Sequence, residues 1–492
     1  MRLRGIGPEV LLLCFLVVGA AAFALFYPQL DAWADPVAPN AEGRMPALQP
    51  VFEQLLREQR GLERASIGFS IHEHTLSAEI RGAGEHREFR YSAQTGRLEP
   101  RASKLGSFLY QLHYLGPLPC GMYLAGLASM ALCLSLATGL LIHLKDLVRQ
   151  WFQFRPERGL RTWLSDMHKV LGVLGLPFQL LYAWSGAVLC LGWVTIVPVF
   201  ERAVFDGNAV AALVVRGERP LPAANRPASH ALHNLDDLMN QARAAVPRLE
   251  PNYLWLEHPG GDAARATVYG RVPGVPFGNA QVVLDAHDGQ LLRVSDPHRA
   301  NSLQRFEAWL FGLHYAQFGG SGVKWLYAVL ALGTCAVIVT GNWVWLERRD
   351  RGRRQLGNRI LQRLTVGACA GFPLAVSALF AANRALPATL VQRSMLEQAV
   401  FWTAFAGALL WPFLVRADRK VLVQELLLSA SLFLLAFGLD VAQRPLRAAN
   451  ATQRGVDICL FCLALGCGSL GLRGARVWPS KRLVGEPAGS GQ

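Results

Sequence analysis

Eight stretches of the chain are predominantly apolar and long enough to cross a bilayer: about 9–27, 119–143, 169–198, 323–346, 364–382, 397–415, 421–439 and 455–472. A spanning helix needs ~20 such residues, because it must bridge ~30 Å of hydrocarbon while satisfying its own backbone. This pattern predicts an α-helical polytopic membrane protein of about eight transmembrane helices. Trp193, Trp325, Trp343 and Trp345 fall at run ends, where indole rings favour the headgroup boundary. Charged residues make up only 17% of the chain, against roughly 25% in ordinary globular domains.

The formal net charge is +14. In a soluble chain such an excess would point to nucleic acid. Here its distribution gives another explanation. Lys145, Arg149, Arg155, Arg158 and Arg161 follow the second run. Arg348, Arg349, Arg351, Arg353, Arg354, Arg359 and Arg363 follow the fourth. Arg416, Arg419 and Lys420 follow the sixth, and Arg473, Arg476, Lys481 and Arg482 end the chain. All fall on the cytoplasmic side if both termini are inside, as the positive-inside rule requires. The opposite short loops hold only Arg384, Arg393, Arg444, Arg447 and Arg454. The charge therefore implies contact with membrane lipid and no nucleic-acid partner. The first run reads as an uncleaved anchor, since its apolar core is longer than a signal-peptide core and Ala32-Trp33-Ala34 lies past its end. Most of the nine Cys lie within apolar runs. Cys459 and Cys462 have CxxC spacing without a following His, which excludes covalent c-type haem attachment there.

Two long polar segments separate the early runs, at about 29–112 and 200–312. Each reads as an extracytoplasmic α+β domain. Leu48–Arg60 and Leu235–Ala245 have helical periodicity. Alternating stretches follow at Ser66–His72, Ser77–Arg81 and Glu88–Ser92, and at Tyr253–Glu257, Ala266–Val272 and Gln281–Asp285. These end in the turns Gln94-Thr95-Gly96 and His287-Asp288-Gly289. Each segment is followed by Leu-His-Tyr (Leu112-His113-Tyr114 and Leu313-His314-Tyr315), then by a span ending in Thr-Gly (Thr138-Gly139 and Thr340-Gly341). This is an internal repeat. The expected organisation is a first span at 1–28, a domain at 29–112, two spans with a cytoplasmic loop at 113–199, and a second domain at 200–312. A span at 313–347, a basic loop at 348–363, four spans at 364–473 and a tail at 474–492 complete it.

Four His lie at run boundaries: His113, His143, His168 and His314. Ionisable groups at membrane depth are costly and usually functional, and neutral imidazole is a common axial ligand of haem iron. His113 and His143 are thirty positions apart, ~45 Å if helical throughout, so they cannot share one iron. His143 and His168 face each other across one loop. His113 and His314 hold equivalent repeat positions. Two b-type haems are expected, one on His143 with His168 and one on His113 with His314. The remaining His read as surface residues. His72 with His74 on one strand face, and His230 with His233 in HxxH spacing, show no evident third ligand.

The chain resembles the PepSY-associated transmembrane proteins, a group that includes siderophore-linked, iron-regulated inner-membrane reductases. The resemblance is carried by Asp166-Met167-His168-Lys169-Val170-Leu171-Gly172, by Ser185-Gly186 and by both Leu-His-Tyr motifs. Thr340-Gly341 before Trp345, and Glu397 followed by Phe401-Trp402, extend it. It implies PepSY-like outer domains, haem b and an oxidoreductase that passes electrons outward to ferric siderophore or ferric iron. Many members carry a His at the start of the first span; Met1–Glu9 holds none. No cytoplasmic segment accommodates a flavin or nicotinamide domain, so a separate donor, quinol or a cytoplasmic reductase, is required. The competing reading is a haem-free scaffold or transporter subunit whose outer domains bind an envelope partner or siderophore.

Overall fold

The computed structural model describes residues 8–34, 46–144, 160–196, 231–349, 355–443 and 451–477, with short breaks at 60, 73–74, 83–84, 93–94, 391 and 416, and isolated positions between 199 and 208. Many of the expected basic loop residues (Lys145 to Arg158, Arg351 to Arg354, Arg416, Arg444, Arg447, Lys481 and Arg482) lie outside the described residues, as do His74 and His230. From the N-terminus, α1 (Pro8–Ala24) and α2 (Tyr27–Ala34) precede α3 (Leu48–Glu58). The strands β1 (Ser66–His72), β2 (Thr75–Gly82), β3 (Glu85–Ser92) and β4 (Arg97–Pro100) follow. Next come α4 (Leu105–His113), α5 (Gly121–His143), α6 (Leu160–Leu174) and α7 (Leu176–Ala187), which continues as a π-helical segment, Val188–Ile196. α8 (Leu235–Ala245) leads into β5 (Glu250–Glu257), β6 (Arg265–Arg271), β7 (Asn279–Asp285) and β8 (Leu291–Ser295). The chain ends with α9 (Ser302–His314), α10 (Gly320–Arg349), α11 (Gln355–Ala385), α12 (Arg393–Val415), α13 (Asp418–Gln443) and α14 (Ala451–Val477). Two compact units result: Met1–Asp35, Ala102–Thr195 and Ser321–Gln492 form one, and Pro36–Arg101 with Ile196–Gly320 form the other.

In the first unit, six helices among the described residues are long and apolar enough to cross a membrane, namely α5 and α10 to α14. Two further helix pairs are bent, α1 with α2 at 69° and α6 with α7 at 70°, and α2 lies past the end of the first expected run. The chain is thus a multi-pass membrane protein, with six to eight candidate spans among the described residues. Both bends have proline at the second position of the new helix, Pro28 and Pro177. Proline lacks the N–H that would continue the ladder, and its ring crowds the carbonyl four residues back. Pro373 and Pro412 remain inside continuous helices, so proline alone does not turn the chain. α2 has a second restraint in Asp31, whose carboxylate accepts from Gly106 N at 2.8 Å, Ser107 N at 3.1 Å and Ser107 Oγ at 2.7 Å. These are donors of the first turn of α4, which its own preceding residue, Lys104, leaves uncapped.

The second unit holds a single antiparallel sheet of order β4-β3-β2-β1-β5-β6-β7-β8. The two polar segments are therefore joined in one sheet rather than standing as separate units. β1 pairs with β5, Phe69 opposite Leu254 and Ile67 opposite Leu256. α3 buries Leu48, Val51, Phe52 and Leu55, and α8 buries Leu235, Leu238, Met239 and Ala242. Both follow the i, i+3, i+4, i+7 spacing of one helical face, and both sets join one core with Ile67, Phe69, Ile80, Leu254, Val268 and Val282. The helices cap each other. Asp236 accepts from Leu48 N at 2.8 Å and Gln49 N at 3.0 Å, while Gln49 Oε1 accepts from Leu235 N at 3.0 Å.

Glu397 near the start of α12 and Asp440 near the end of α13 are acids within membrane helices. Both are buried and ion-paired. Arg384 Nε lies 2.8 Å from Asp440 Oδ1, and Arg393 Nε lies 3.1 Å from Glu397 Oε1. Glu397 also accepts from Asn383 Nδ2 at 2.8 Å and from Ser103 Oγ at 2.6 Å. Arg384 donates to the Trp33 carbonyl and lies 3.8 Å over the Trp33 ring, whose Nε1 donates to Asp457 at 2.9 Å. Burial of this kind is tolerated only with full pairing, and removing one partner costs roughly 3–5 kcal/mol. Arg384→Leu is accordingly expected to lower the melting temperature of the detergent-solubilised protein sharply, and Arg384→Leu with Asp440→Leu to lower it less.

Candidate functional site

His113 ends α4, a helix of nine residues. That helix is enclosed, with Leu105, Gly106, Phe108, Leu109 and Leu112 all buried. It packs along α1 and α2 and touches α11 and α12. Phe108 meets Phe401 edge-on at 5.1 Å and Trp402 at 6.2 Å, so the Glu397, Phe401 and Trp402 motif of α12 grips the helix that carries His113. The His113 Nδ1–H donates to the Val17 carbonyl of α1 at 2.9 Å. That bond fixes the tautomer and puts the ring's lone pair on Nε2.

His168 uses the same device. Its Nδ1–H donates to the Val337 carbonyl of α10 at 2.9 Å, with Thr340 Oγ1 at 3.3 Å. His168 lies on α6, seven positions before Gly175, rather than at the start of a straight span. The Thr340-Gly341 motif builds its seat. A Cβ at Gly341 would fall 2.9 Å from His168 Cε1, so only glycine lets the imidazole lie against α10.

His168 opens on a cavity of about 350 Å³ between α1, α5, α6 and α10, within the range of small-molecule sites. Leu132, Leu136 and Gly139 of α5 line one wall, and Val337, Gly341, Asn342 and Trp345 of α10 line another. His143, whose side chain lies outside the described residues, is the last residue of α5, one turn beyond Gly139. Lys169 and Gly172 complete the side formed by α6. Sequence reasoning missed Asn342. The signal was present: an amide follows Thr-Gly inside an apolar run.

His314 ends α9 in the second unit and is 8% exposed. Trp309 and Phe318 hold Phe277 between them, at 4.9 and 5.8 Å, and so fix α9 to the loop between β6 and β7. The two Leu-His-Tyr motifs close their helices in the same way. Gly116 N donates to Gln111 O and Gln317 N to Gly312 O, each at 2.9 Å, while Leu115 and Ala316 adopt φ of 57° and 50°. This is the six-to-one closure of a helix C-terminus. The repeat read in the sequence is thus a repeat of backbone conformation. His113 and His314 lie in different units, and their pairing rests on that repeat.

Residues 7–348 match the model of a family described as the PepSY-associated TM region. The chain belongs to the PepSY-associated transmembrane family. The match ends at the close of α10, ahead of the last four helices, two of which touch α4. A Pseudomonas aeruginosa protein described as uncharacterized is 30% identical over 386 residues, which span 75% of this chain and 93% of the relative. In this PepSY-associated chain, Gly106 brings α4 close against α2: a Cβ there would lie 2.2 Å from the Tyr27 carbonyl oxygen. Gly106→Ala forces the helices apart at a cost of about 1–3 kcal/mol, and faster amide exchange at Leu109–His113 is the expected readout.

Proposed function

We propose that this protein is a di-haem b electron-transfer protein of the bacterial inner membrane, both termini cytoplasmic. In this reading it carries electrons from the cytoplasmic side or the quinol pool to a periplasmic acceptor, ferric siderophore or ferric iron. The observation that carries the reading is the shared geometry of His113 and His168. Each donates Nδ1–H to a backbone carbonyl of a neighbouring membrane helix. That is the usual second contact of a metal-ligating imidazole, which orients the ring and raises the basicity of Nε2.

The residues present fit the group. Gly139 and Gly172 border the cavity with open space where a Cβ would stand, which leaves the walls free for a flat ring. Lys169 supplies a cation for a carboxylate. His168 and His143 would hold one haem, and His113 with His314 the other. Bound haem supplies a one-electron Fe(III)/Fe(II) couple, tuned by its axial ligands and burial. The chain excludes water with the apolar walls of α1, α5 and α10, and fixes the imidazoles through Val17 and Val337. Along α1, Val17 and the cavity residue Leu11 are six positions apart, ~9 Å of helix rise, so one helix spaces the two sites. Reduction loosens a siderophore's hold, because its hard oxygen ligands suit Fe(III) better than Fe(II).

A dithionite-reduced minus oxidised spectrum of the purified protein tests this. Bands of b type are expected, with His168→Ala and His314→Ala each removing about half of the haem. A spectrum without such bands overturns the reading in favour of a haem-free scaffold. Gly341→Val, which drives a side chain into the His168 ring, is expected to remove the same half as His168→Ala.

A further inference from the structure

We infer that Asn342 is a binding residue of the His168 cavity, its side-chain amide hydrogen-bonding a carboxylate of the tetrapyrrole held there. The inference rests on the haem reading above and adds a contact that neither the histidines nor the family match supply. Asn342 is 1% exposed, and among the described residues neither its Nδ2 nor its Oδ1 has a hydrogen-bond partner. An unsatisfied buried amide group costs roughly 1–3 kcal/mol, and in hydrocarbon the alternative partner, water, is scarce.

Other polar residues of α10 behave differently. Thr334 returns its hydroxyl to Leu330 O at 2.8 Å, and Thr340 to Ala336 O at 2.7 Å. This is the ordinary way a hydroxyl is satisfied in a membrane helix. Asn342 lies one residue beyond Gly341, the seat of His168, and lines the same cavity. A partner that enters the cavity would meet the amide and His168 together. Lys169, on the α6 side, adds an ammonium group to that cavity. An amide N–H and an ammonium together suit an anion with acceptor oxygens, and a propionate-bearing tetrapyrrole presents one at its edge. The remainder of the wall is mainly apolar, as the ring requires.

The test uses the full-length protein in detergent, comparing wild type with Asn342→Leu, Asn342→Asp and His168→Ala. Haem release to excess apomyoglobin, the haem midpoint potential and the melting temperature of the haem-free form are measured. Leucine matches the amide in size and removes both orphaned atoms, so the haem-free Asn342→Leu protein is expected to melt no lower than wild type. Its haem is expected to leave about tenfold faster or more, the worth of a hydrogen bond to a charged group. Asn342→Asp, of the same shape but anionic, is expected to lose haem faster still. Haem whose release and potential are unchanged by Asn342→Leu, yet altered by His168→Ala, overturns the assignment of Asn342 alone. A protein without haem, or with haem indifferent to His168→Ala, overturns the reading beneath it and this assignment too.

Discussion

Arg384 lies among apolar helices with its charge fully enclosed, and the arrangement of the membrane unit follows from how that charge is met. Asp440 of α13 supplies the counter-charge, and Trp33 of α2 supplies a carbonyl and an aromatic face. Trp33 in turn is tied to Asp457 of α14. One guanidinium therefore joins α2, α11, α13 and, at one remove, α14. Such a group contributes geometry more than net stability, since desolvation offsets most of the attraction. The geometry matters here because apolar helices in lipid have little hydrophobic drive toward one partner over another. The second cluster, Arg393 with Glu397, Asn383 and Ser103, fixes the start of α4 against α11 and α12. Among the final four helices, in which no histidine occurs, α11 and α12 touch the helix that carries His113, and α14 packs on its neighbour α2.

Much of this was readable in the sequence, for identifiable reasons. Apolar runs of spanning length report themselves directly, and the α8 boundaries, Leu235 to Ala245, follow from strict i, i+3, i+4, i+7 burial. The bends were not readable, because Pro28 and Pro177 at the new helices look in the sequence no different from Pro373 and Pro412, which stand inside continuous helices; the 69° and 70° angles need tertiary restraints as well. β4 and β8 were missed as well. They are short edge strands, and β4 buries a single residue, Leu98. Pairing of β1 with β5 has no local signal at all, since it joins segments separated by membrane helices.

The four candidate histidines were picked out in the sequence by depth and repetition, and the seats of the His113 and His168 rings were not legible there. A carbonyl acceptor such as Val17 or Val337 is a backbone group and leaves no trace in residue identity. Glu397 and Asp440 were visible as acids near predicted span ends. Their arginine partners, Arg393 and Arg384, look in the sequence like ordinary loop cations, and only the fold reveals them as buried. Asn342 belongs to the same class, a polar residue whose neighbours decide its meaning.

The shared sheet has a consequence for how the protein is made. Phe69 and Leu254 are neighbours across the centre of the sheet, and the α3 N-terminus has its cap only when Asp236 arrives. The intervening chain includes α5 and the bent α6–α7 pair. At translation rates of ~5–20 residues per second, the first half must wait on the order of 10–40 seconds for the second. Throughout that interval β1 presents an open strand edge and α3 an uncapped end, a state prone to pairing with other chains. The order of synthesis thus leaves the first half of the sheet without its partner strand until the second half is made.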